Sequence, residues 1–174
     1  ILRNHAIDKS LLERNMSKVP TYQIDRLGYN YRIDDIRSTI GIEQLKKIDY
    51  LNNLRRKIAL NYKKLIKKEL LGIQIPFSDF IGEKFSYHLF PILLPFNINR
   101  NKLIKFLNSK NIQTSIHYKP IHRLNFYEKK NFSLKKLDKI SNNILSLPIY
   151  PDLSFLDQKY VIKVIKEFLK NKNK

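Results

Sequence analysis

The longest regular feature of the sequence is a helical pattern of apolar residues between Asp34 and about Lys68. Residues three and four positions apart share one face of an α-helix. The stripe consists of Ile36, Ile40, Leu45, Ile48, Leu51, Leu54, Ile58, Tyr62 and Leu65. Asp34 or Asp35 is suited to cap its start, because a side-chain oxygen accepts from a free backbone N–H in the first turn. The pattern predicts one long helix. Gly41 inside it should cost about 1 kcal/mol relative to alanine, so we expect another backbone to approach closely there.

Three shorter stretches after this helix are typical of strands. They are GIQIP at 72–76, YHLFPILLP at 87–95 and IQTSIHY at 112–118. Pro91 places the second at an edge or a bulge, because proline cannot donate to the ladder. In the third, apolar and polar residues alternate, as on the two faces of a strand.

Helices alternate with these strands. Asn99 is suited to cap a helix after the second strand, and Ser154 with Asp157 forms a capping-box-like start to the last helix, which is amphipathic. This order predicts an α/β or α+β fold in which helices cover a small sheet on one side. The first 26 residues are less regular and suggest the tail of a structure that begins before residue 1.

The chain is strongly basic, with 34 Lys and Arg against 15 Asp and Glu and a net charge of +19. One interpretation is a nucleic-acid or membrane-surface partner. The other, which we favour, is a lysine-rich composition, because the lysines are spread along nearly every segment. The absence of cysteine excludes disulfides and thiolate metal sites and fits a reducing cytosol. No apolar run approaches the roughly 18 residues of a membrane span.

The stretch LGYNYRIDD, residues 27–35, holds an unusual set of polar and aromatic side chains just before the long helix. Asn30 offers a donor and an acceptor, and Arg32 offers a planar cationic fork suited to phosphate or carboxylate. Gly28 followed by a helix start is typical of an anion-contacting loop. The alternative is structural: Tyr29 and Tyr31 pack as core while Asn30 forms a turn. Residue types alone leave both open.

The stretch HYKPIH, residues 117–122, places an aromatic ring, two imidazoles and a lysine at the end of a predicted strand. Strand ends that face a pocket are common binding sites. His117 and Tyr118 point to opposite faces of a regular strand, so both reach one pocket only if the strand ends here, as Pro120 suggests. The alternative is that His117 and His122 are surface histidines.

Taken in order, several stretches resemble successive motifs of the DegT/DnrJ/StrS family of pyridoxal-phosphate-dependent sugar aminotransferases. They are ILRNHAI, LGYNYRIDDIRSTIGIEQLKKID, RRKIALNY, YHLFPILLP, NIQTSIHYKPIH and LSLPIYPDLS. Ala6 stands where the family usually has glycine, and Ser38-Thr39 replaces a typical alanine pair. These differences affect a loop and helix packing.

The resemblance covers the carboxy-terminal half of such an enzyme. It implies residues 1–33 as the tail of the large cofactor-binding domain, including a dimer-crossing loop, and residues 34–174 as a long linking helix plus the small domain of a fold-type-I aminotransferase. That domain would have a small, mainly antiparallel sheet covered by helices. The Schiff-base lysine of the family would lie upstream of residue 1, so we assign no catalytic residue in this chain.

The resemblance also implies functional residues. Asn30 would contact the phosphate of pyridoxal 5'-phosphate in the partner subunit of a homodimer, with Arg32 on the same anion or holding the loop. His117, Tyr118 and His122 would position a nucleotide-linked keto-sugar by hydrogen bonds. Arg55 and Arg56 match a basic pair of the family on the long helix, and we expect a structural or ion-pair role for them.

The implied reaction transfers an amino group from glutamate to the keto-sugar, for surface polysaccharide or amino-sugar biosynthesis in the cytosol. Three alternatives stay open. The chain could be a basic nucleic-acid-binding module, although its charge is dispersed. It could be a partner-binding remnant of the fold without activity. The intact protein could also be a dehydratase with histidine in place of the lysine, or a regulator.

Overall fold

The computed structural model describes residues 4–8, 11–16, 23–78, 85–127 and 134–171. Contacts divide the chain into two units, Ile1–Ile48 and Asp49–Lys174. The described helices are α1 (Leu11–Met16), α2 (Asp35–Leu45), α3 (Ile48–Glu69), α4 (Arg100–Ser109), α5 (Lys135–Ser141) and α6 (Phe155–Asn171). The strands are β1 (Phe90–Leu93) and β2 (Ile144–Leu147), and a short 3₁₀ helix spans Ile121–Arg123. No described helix combines the length and apolar character needed to cross a bilayer.

In the first unit, the segment 4–8 lies antiparallel to the segment 23–30. Isolated backbone pairs join Asn4 to Asn30 and Ile7 to Ile24, and the His5 N–H donates to the Tyr29 carbonyl at 2.9 Å. Gly28 is required by this approach, since a Cβ there would lie 2.1 Å from the Ala6 nitrogen. Gly28 is therefore needed for the close packing of these two segments.

The predicted long helix is interrupted. It starts as expected, with the Asp34 carboxylate accepting from the Arg37 N–H at 2.8 Å. However, α2 ends at Leu45, and Lys46 and Lys47 form a turn before α3. The Lys47 N–H donates to the Gln44 carbonyl at 3.1 Å, a bond three residues back that tightens the turn. The apolar spacing continues across this turn, which is why the pattern predicted one helix.

No residue of α2 is buried in the described chain. Ile36 is 77% exposed, Ile40 58% and Leu45 66%. A Cβ on Gly41 would meet nothing within 4 Å, so the close backbone expected there is not found among the described residues. The large apolar side chains of α2 are thus exposed in the described part of the chain.

The second unit is built on an antiparallel pair. Phe90 lies opposite Leu147 and Leu93 opposite Ile144. Gln74 extends the pairing beyond β1 at Leu93, and Ser115 extends it beyond β2 at Ser146. The predicted strands at 72–76 and 112–118 therefore pair through single bridges. Pro91 lies opposite Ser146. The backbone N–H and carbonyl of Ser146 both bond to Ser115, so the N–H that Pro91 lacks removes no hydrogen bond from β2.

Helices supply the core on one face of this sheet. That face carries Phe90, Ile92, Leu145 and Leu147, which belong to one buried cluster with residues of α3, α4 and α6. The Tyr62 ring packs on Phe90 with centroids 5.1 Å apart. The arrangement confirms the mixed helix and small antiparallel sheet predicted from the sequence.

Polar contacts and caps fix the helices around this core. The fully buried Gln158 donates through Nε2 to the Ile58 carbonyl at 2.8 Å, which joins α6 to α3. The Tyr62 hydroxyl donates to the Pro148 carbonyl at 3.2 Å, and burial raises the pKa of this phenol above its ordinary range. Both predicted caps are confirmed: Asn99 accepts from the Lys102 N–H at 3.0 Å, and the Asp157 N–H donates to the Ser154 hydroxyl at 3.0 Å.

Candidate functional site

The loop before α2 is held by Arg32. Its Nε and Nη2 donate to the Asn4 Oδ1 at 2.8 Å and 2.5 Å. Asn30 pairs with Asn4 through the backbone, and its exposed side chain makes no hydrogen bond with the described residues. The loop is therefore ordered by Arg32, while the Asn30 amide is exposed and unbonded among the described residues.

The two tyrosines of this loop are not core residues of their unit. Their rings stack with centroids 5.1 Å apart and planes at 5°, yet Tyr29 is 49% exposed and Tyr31 70%. The structural alternative for this loop, in which both rings pack as core, is thus not found in the part of the chain described. The loop presents an amide, a guanidinium and two aromatic rings on its surface, a set suited to an anionic ring-bearing ligand.

The second unit contains a cleft of about 650 Å³ at one end of its sheet. Its lining comes from the segment 110–115, the residues that follow β2 as far as Tyr150, and the first turns of α6, with His88 and His117. This volume lies in the range of small-molecule sites, roughly 300–1,000 Å³. The cleft thus combines apolar and polar walls with two imidazoles.

His117 is anchored in this cleft by Ser146. The His117 Nδ1 lies 2.9 Å from the Ser146 hydroxyl, and Ser146 is buried in β2 with 4% of its surface exposed. Tyr118 is 72% exposed. Its ring stands edge-on to the His117 ring at 4.9 Å, but the residue does not line the cleft. The structure therefore brings Tyr118 to the imidazole of His117 and only His117 to the cleft itself.

His122 has a different environment. Its ring is 7% exposed, and Nε2 lies 2.8 Å from the Asp138 Oδ1. Arg123 donates to both oxygens of the same carboxylate, from Nε at 2.9 Å and from Nη2 at 2.7 Å. These hydrogen bonds, that of Arg123 foremost, lower the pKa of Asp138 to about 2 against the opposing effect of desolvation. His122 thus joins the 3₁₀ helix to α5 and does not line the cleft of His117.

The cleft is also lined by residues that were not predicted as site residues from the sequence, among them His88, Thr114 and Ser146. His88 lines it from the segment before β1, and its position in YHLFPILLP, at the start of a predicted strand, was the available signal. Thr114 carries a buried hydroxyl without a hydrogen-bond partner in the described chain, which only the fold reveals. Among the described residues no three His, Asp or Glu side chains could hold a metal ion.

The basic pair on α3 has local contacts. Arg55 donates from Nη1 to the Asn52 Oδ1 at 3.3 Å and is half-buried. Arg56 is exposed, and no ion pair involves it among the described residues. A structural role thus has geometric support for Arg55.

Comparison with known proteins identifies relatives over nearly the whole chain. A sequence model of the DegT/DnrJ/EryC1/StrS aminotransferase family matches residues 1–166. The UDP-4-amino-4,6-dideoxy-N-acetyl-beta-L-altrosamine transaminase of Campylobacter jejuni is 34% identical over 166 residues, which cover 92% of this chain and 42% of that protein. Such identity over this length indicates common ancestry and not chance similarity.

Solved structures share the fold. PseC of Helicobacter pylori, an aminotransferase involved in pseudoaminic acid biosynthesis, matches with a TM-score of 0.78 at 23% identity, over 98% of this chain and 44% of PseC. A DegT DnrJ EryC1 StrS aminotransferase of Brucella abortus matches with a TM-score of 0.74 at 26% identity, over 96% of this chain and 41% of that one. The chain spans less than half the length of the relatives it matches.

Proposed function

The chain belongs to the DegT/DnrJ/EryC1/StrS aminotransferase family, and from that premise we propose that the protein transfers an amino group from glutamate to a nucleotide-linked keto-sugar. The observation that carries this proposal is the family match over residues 1–166. The name of the Campylobacter jejuni relative, a transaminase of a UDP-linked amino-sugar, supports the substrate class. The product would enter surface polysaccharide or amino-sugar biosynthesis.

The residues of the Asn30 loop fit the phosphate of pyridoxal 5'-phosphate, the cofactor of this family. The Asn30 amide is exposed and free of partners in the described chain, so it can donate to a phosphate oxygen. Arg32 uses Nε and Nη2 on Asn4 and keeps Nη1 for a second contact. The cofactor, when bound, supplies the electron sink for amino transfer. We expect the lysine that holds it to lie N-terminal to this chain.

The cofactor bound through Asn30 belongs, in this proposal, to the partner subunit of a homodimer. Ile36, Ile42 and Leu45 lie on different sides of α2 and are 77%, 55% and 66% exposed. Exposed apolar side chains that cluster on one helix are typical of a surface that packs against another chain. We therefore propose that the Asn30 loop and α2 pack against the partner subunit, with residues 1–33 as the tail of the large domain and residues 34–174 as linking helix and small domain.

The His117 cleft is proposed to position the nucleotide-linked sugar. His117 offers Nε2, since Nδ1 is occupied by Ser146, and Tyr118 offers an exposed hydroxyl next to that ring. Both groups hydrogen-bond sugar hydroxyls or phosphate oxygens. His122 is proposed to act on the substrate site indirectly. Because its Nε2 is bonded to Asp138, it fixes the 3₁₀ helix that follows Tyr118 in the chain.

The test uses the full-length protein with pyridoxal phosphate, glutamate and UDP-, dTDP- or GDP-linked keto-sugars, with product detected by mass spectrometry. We expect an amino-sugar product for one nucleotide class, and no product from the sugar without its nucleotide. Asn30→Ala should weaken cofactor retention, while Asn53→Ala, an exposed asparagine on α3, should not. Absence of glutamate-dependent transfer with every nucleotide-sugar would contradict the proposal.

Two predictions about location and partners rest on the sequence alone. We propose a cytosolic location, with which the lack of cysteine is compatible. No nucleic-acid partner is proposed, although the net charge is +19. Strong binding to DNA or RNA that persists at physiological salt would favour the nucleic-acid alternative, because phosphate-driven binding weakens steeply with ionic strength.

A further inference from the structure

We propose that Ser146 is a positioning residue for His117. Its hydroxyl holds Nδ1 of the imidazole and leaves Nε2 as the nitrogen that contacts the nucleotide-sugar. This inference rests on the proposed function, since it assumes that His117 contacts that substrate. It adds a residue that lies 29 positions away in the sequence and for which the sequence alone predicted no role.

Ser146 has the fixed geometry that a positioning residue requires. It lies in β2, opposite Pro91 of β1. On its other side its N–H donates to the Ser115 carbonyl at 2.8 Å, and its carbonyl accepts from the Ser115 N–H at 3.2 Å. Only 4% of the residue is exposed. Its hydroxyl therefore moves about a single side-chain torsion on a backbone that two hydrogen bonds to Ser115 hold in place.

Ser146 lies on the face of β2 opposite to that of its apolar neighbours, and it is buried although it is polar. Leu145 is 0% exposed and Leu147 is 3% exposed. A buried hydroxyl without a partner destabilises a fold, so a serine at this position needs an acceptor or donor nearby. Among the described residues His117 supplies that partner at 2.9 Å.

The contact determines what His117 offers to a ligand. A serine hydroxyl either donates to an unprotonated Nδ1 or accepts from a protonated one, so Nδ1 is occupied in both tautomers. Nε2 makes no hydrogen bond within the described part of the chain, and the residue lines the cleft. The ring is consequently held with Nε2 as its available edge. Loss of the hydroxyl would free the ring to turn and weaken the contact.

The experiment compares Ser146→Ala, His117→Ala and the double variant in the full-length enzyme, by steady-state kinetics with the nucleotide-linked keto-sugar. We expect Ser146→Ala to raise the KM for this substrate about fivefold, the effect of one neutral hydrogen bond. The half-reaction with glutamate should keep its rate. The double variant should match His117→Ala, because Ser146 acts through His117. Ser109→Ala is the control, since it removes a hydroxyl bonded to the Phe106 carbonyl at 2.8 Å on α4.

Additive effects in the double variant would overturn the inference, because they would show that Ser146 acts independently of His117. A KM for Ser146→Ala equal to that of Ser109→Ala would also overturn it. If Ser146→Ala does not fold, Ser146→Cys fills the site with a slightly larger group that forms a weaker hydrogen bond, and it must still raise KM. The glutamate half-reaction of the wild-type enzyme is the control for the proposed function. If the proposed function is wrong, this half-reaction is absent; if only the inference about Ser146 is wrong, it is present.

Discussion

The bond between Arg32 and Asn4 allows a sharp test of how the loop holds its ligand. Two donor nitrogens of the guanidinium, Nε at 2.8 Å and Nη2 at 2.5 Å, converge on the single oxygen Oδ1 of Asn4. Asn4→Ala removes this acceptor while the backbone pairing of residue 4 with Asn30 remains possible. The variant therefore asks whether Arg32 acts by ordering the loop or by its charge.

The expected magnitude follows from the exposure of the pair. Hydrogen bonds that involve a charged group contribute about 1.5–3 kcal/mol. Arg32 is exposed, so solvent screening reduces this to about 1 kcal/mol. If the loop must be ordered to present Asn30, the same free energy is lost from cofactor binding. We expect the dissociation constant for pyridoxal phosphate to rise about fivefold in Asn4→Ala.

The assay is a titration of the full-length apoenzyme with pyridoxal phosphate, followed by absorbance, for Asn4→Ala, Arg32→Ala, the double variant and Arg32→Lys. The double variant should bind no more weakly than Arg32→Ala, because both single changes remove the same contact. Arg32→Lys should resemble Arg32→Ala, since lysine lacks the planar fork. Two results together would refute this reasoning: strict additivity of the two alanine variants and full retention of affinity in Arg32→Lys. They would show that Arg32 acts only through its charge.

Three further predictions concern the fold. Gly28→Ala should destabilise the first unit by about 3 kcal/mol or more, because its Cβ would lie 2.1 Å from the Ala6 nitrogen; chemical denaturation measures this loss. Gln158→Leu should lower the free energy of unfolding by about 1–2 kcal/mol, since it removes the bond to the Ile58 carbonyl but little volume. The pKa of Asp138 lies at about 2 against an ordinary 3.8, so its contribution to stability is present above about pH 4 and lost as the pH falls through 2; Asp138→Asn should remove this acid-dependent step from the unfolding curve.

Each of these predictions has a control and a contradicting outcome. Gly41→Ala in the isolated chain should raise helix stability by about 1 kcal/mol, because a Cβ there meets nothing within 4 Å. Equal effects at the two glycines would contradict the steric argument. Lys159→Ala, a change at an exposed position of α6, is the control for Gln158→Leu. If both variants have the same free energy of unfolding, the buried amide of Gln158 contributes nothing to stability. An Asp138→Asn variant that keeps the acid-dependent loss would assign it to another carboxylate.

Much of the local structure was predictable because it depends on neighbours in the chain. The caps at Asp34, Asn99 and Ser154 each join a side chain to a backbone N–H three residues later. Such bonds form within one turn and need no tertiary contact. The family motifs are likewise short and ordered along the chain, and the family they predicted is confirmed by the match over residues 1–166.

The tertiary structure decided which of the singled-out residues meet. His117 bonds to Ser146 across 29 positions, His122 to Asp138 across 16, and Arg32 to Asn4 across 28. No periodicity links such pairs, because their distance depends on how strands and loops pack. The same limit explains the turn at Lys46 and Lys47, where a tighter hydrogen bond breaks the helix without disturbing the apolar spacing. Sequence alone thus determined the three caps, the mixed composition of helices and a small sheet, and the family. The pairing of β1 with β2 and the partners of each site residue were determined by long-range contacts that form only in the folded chain.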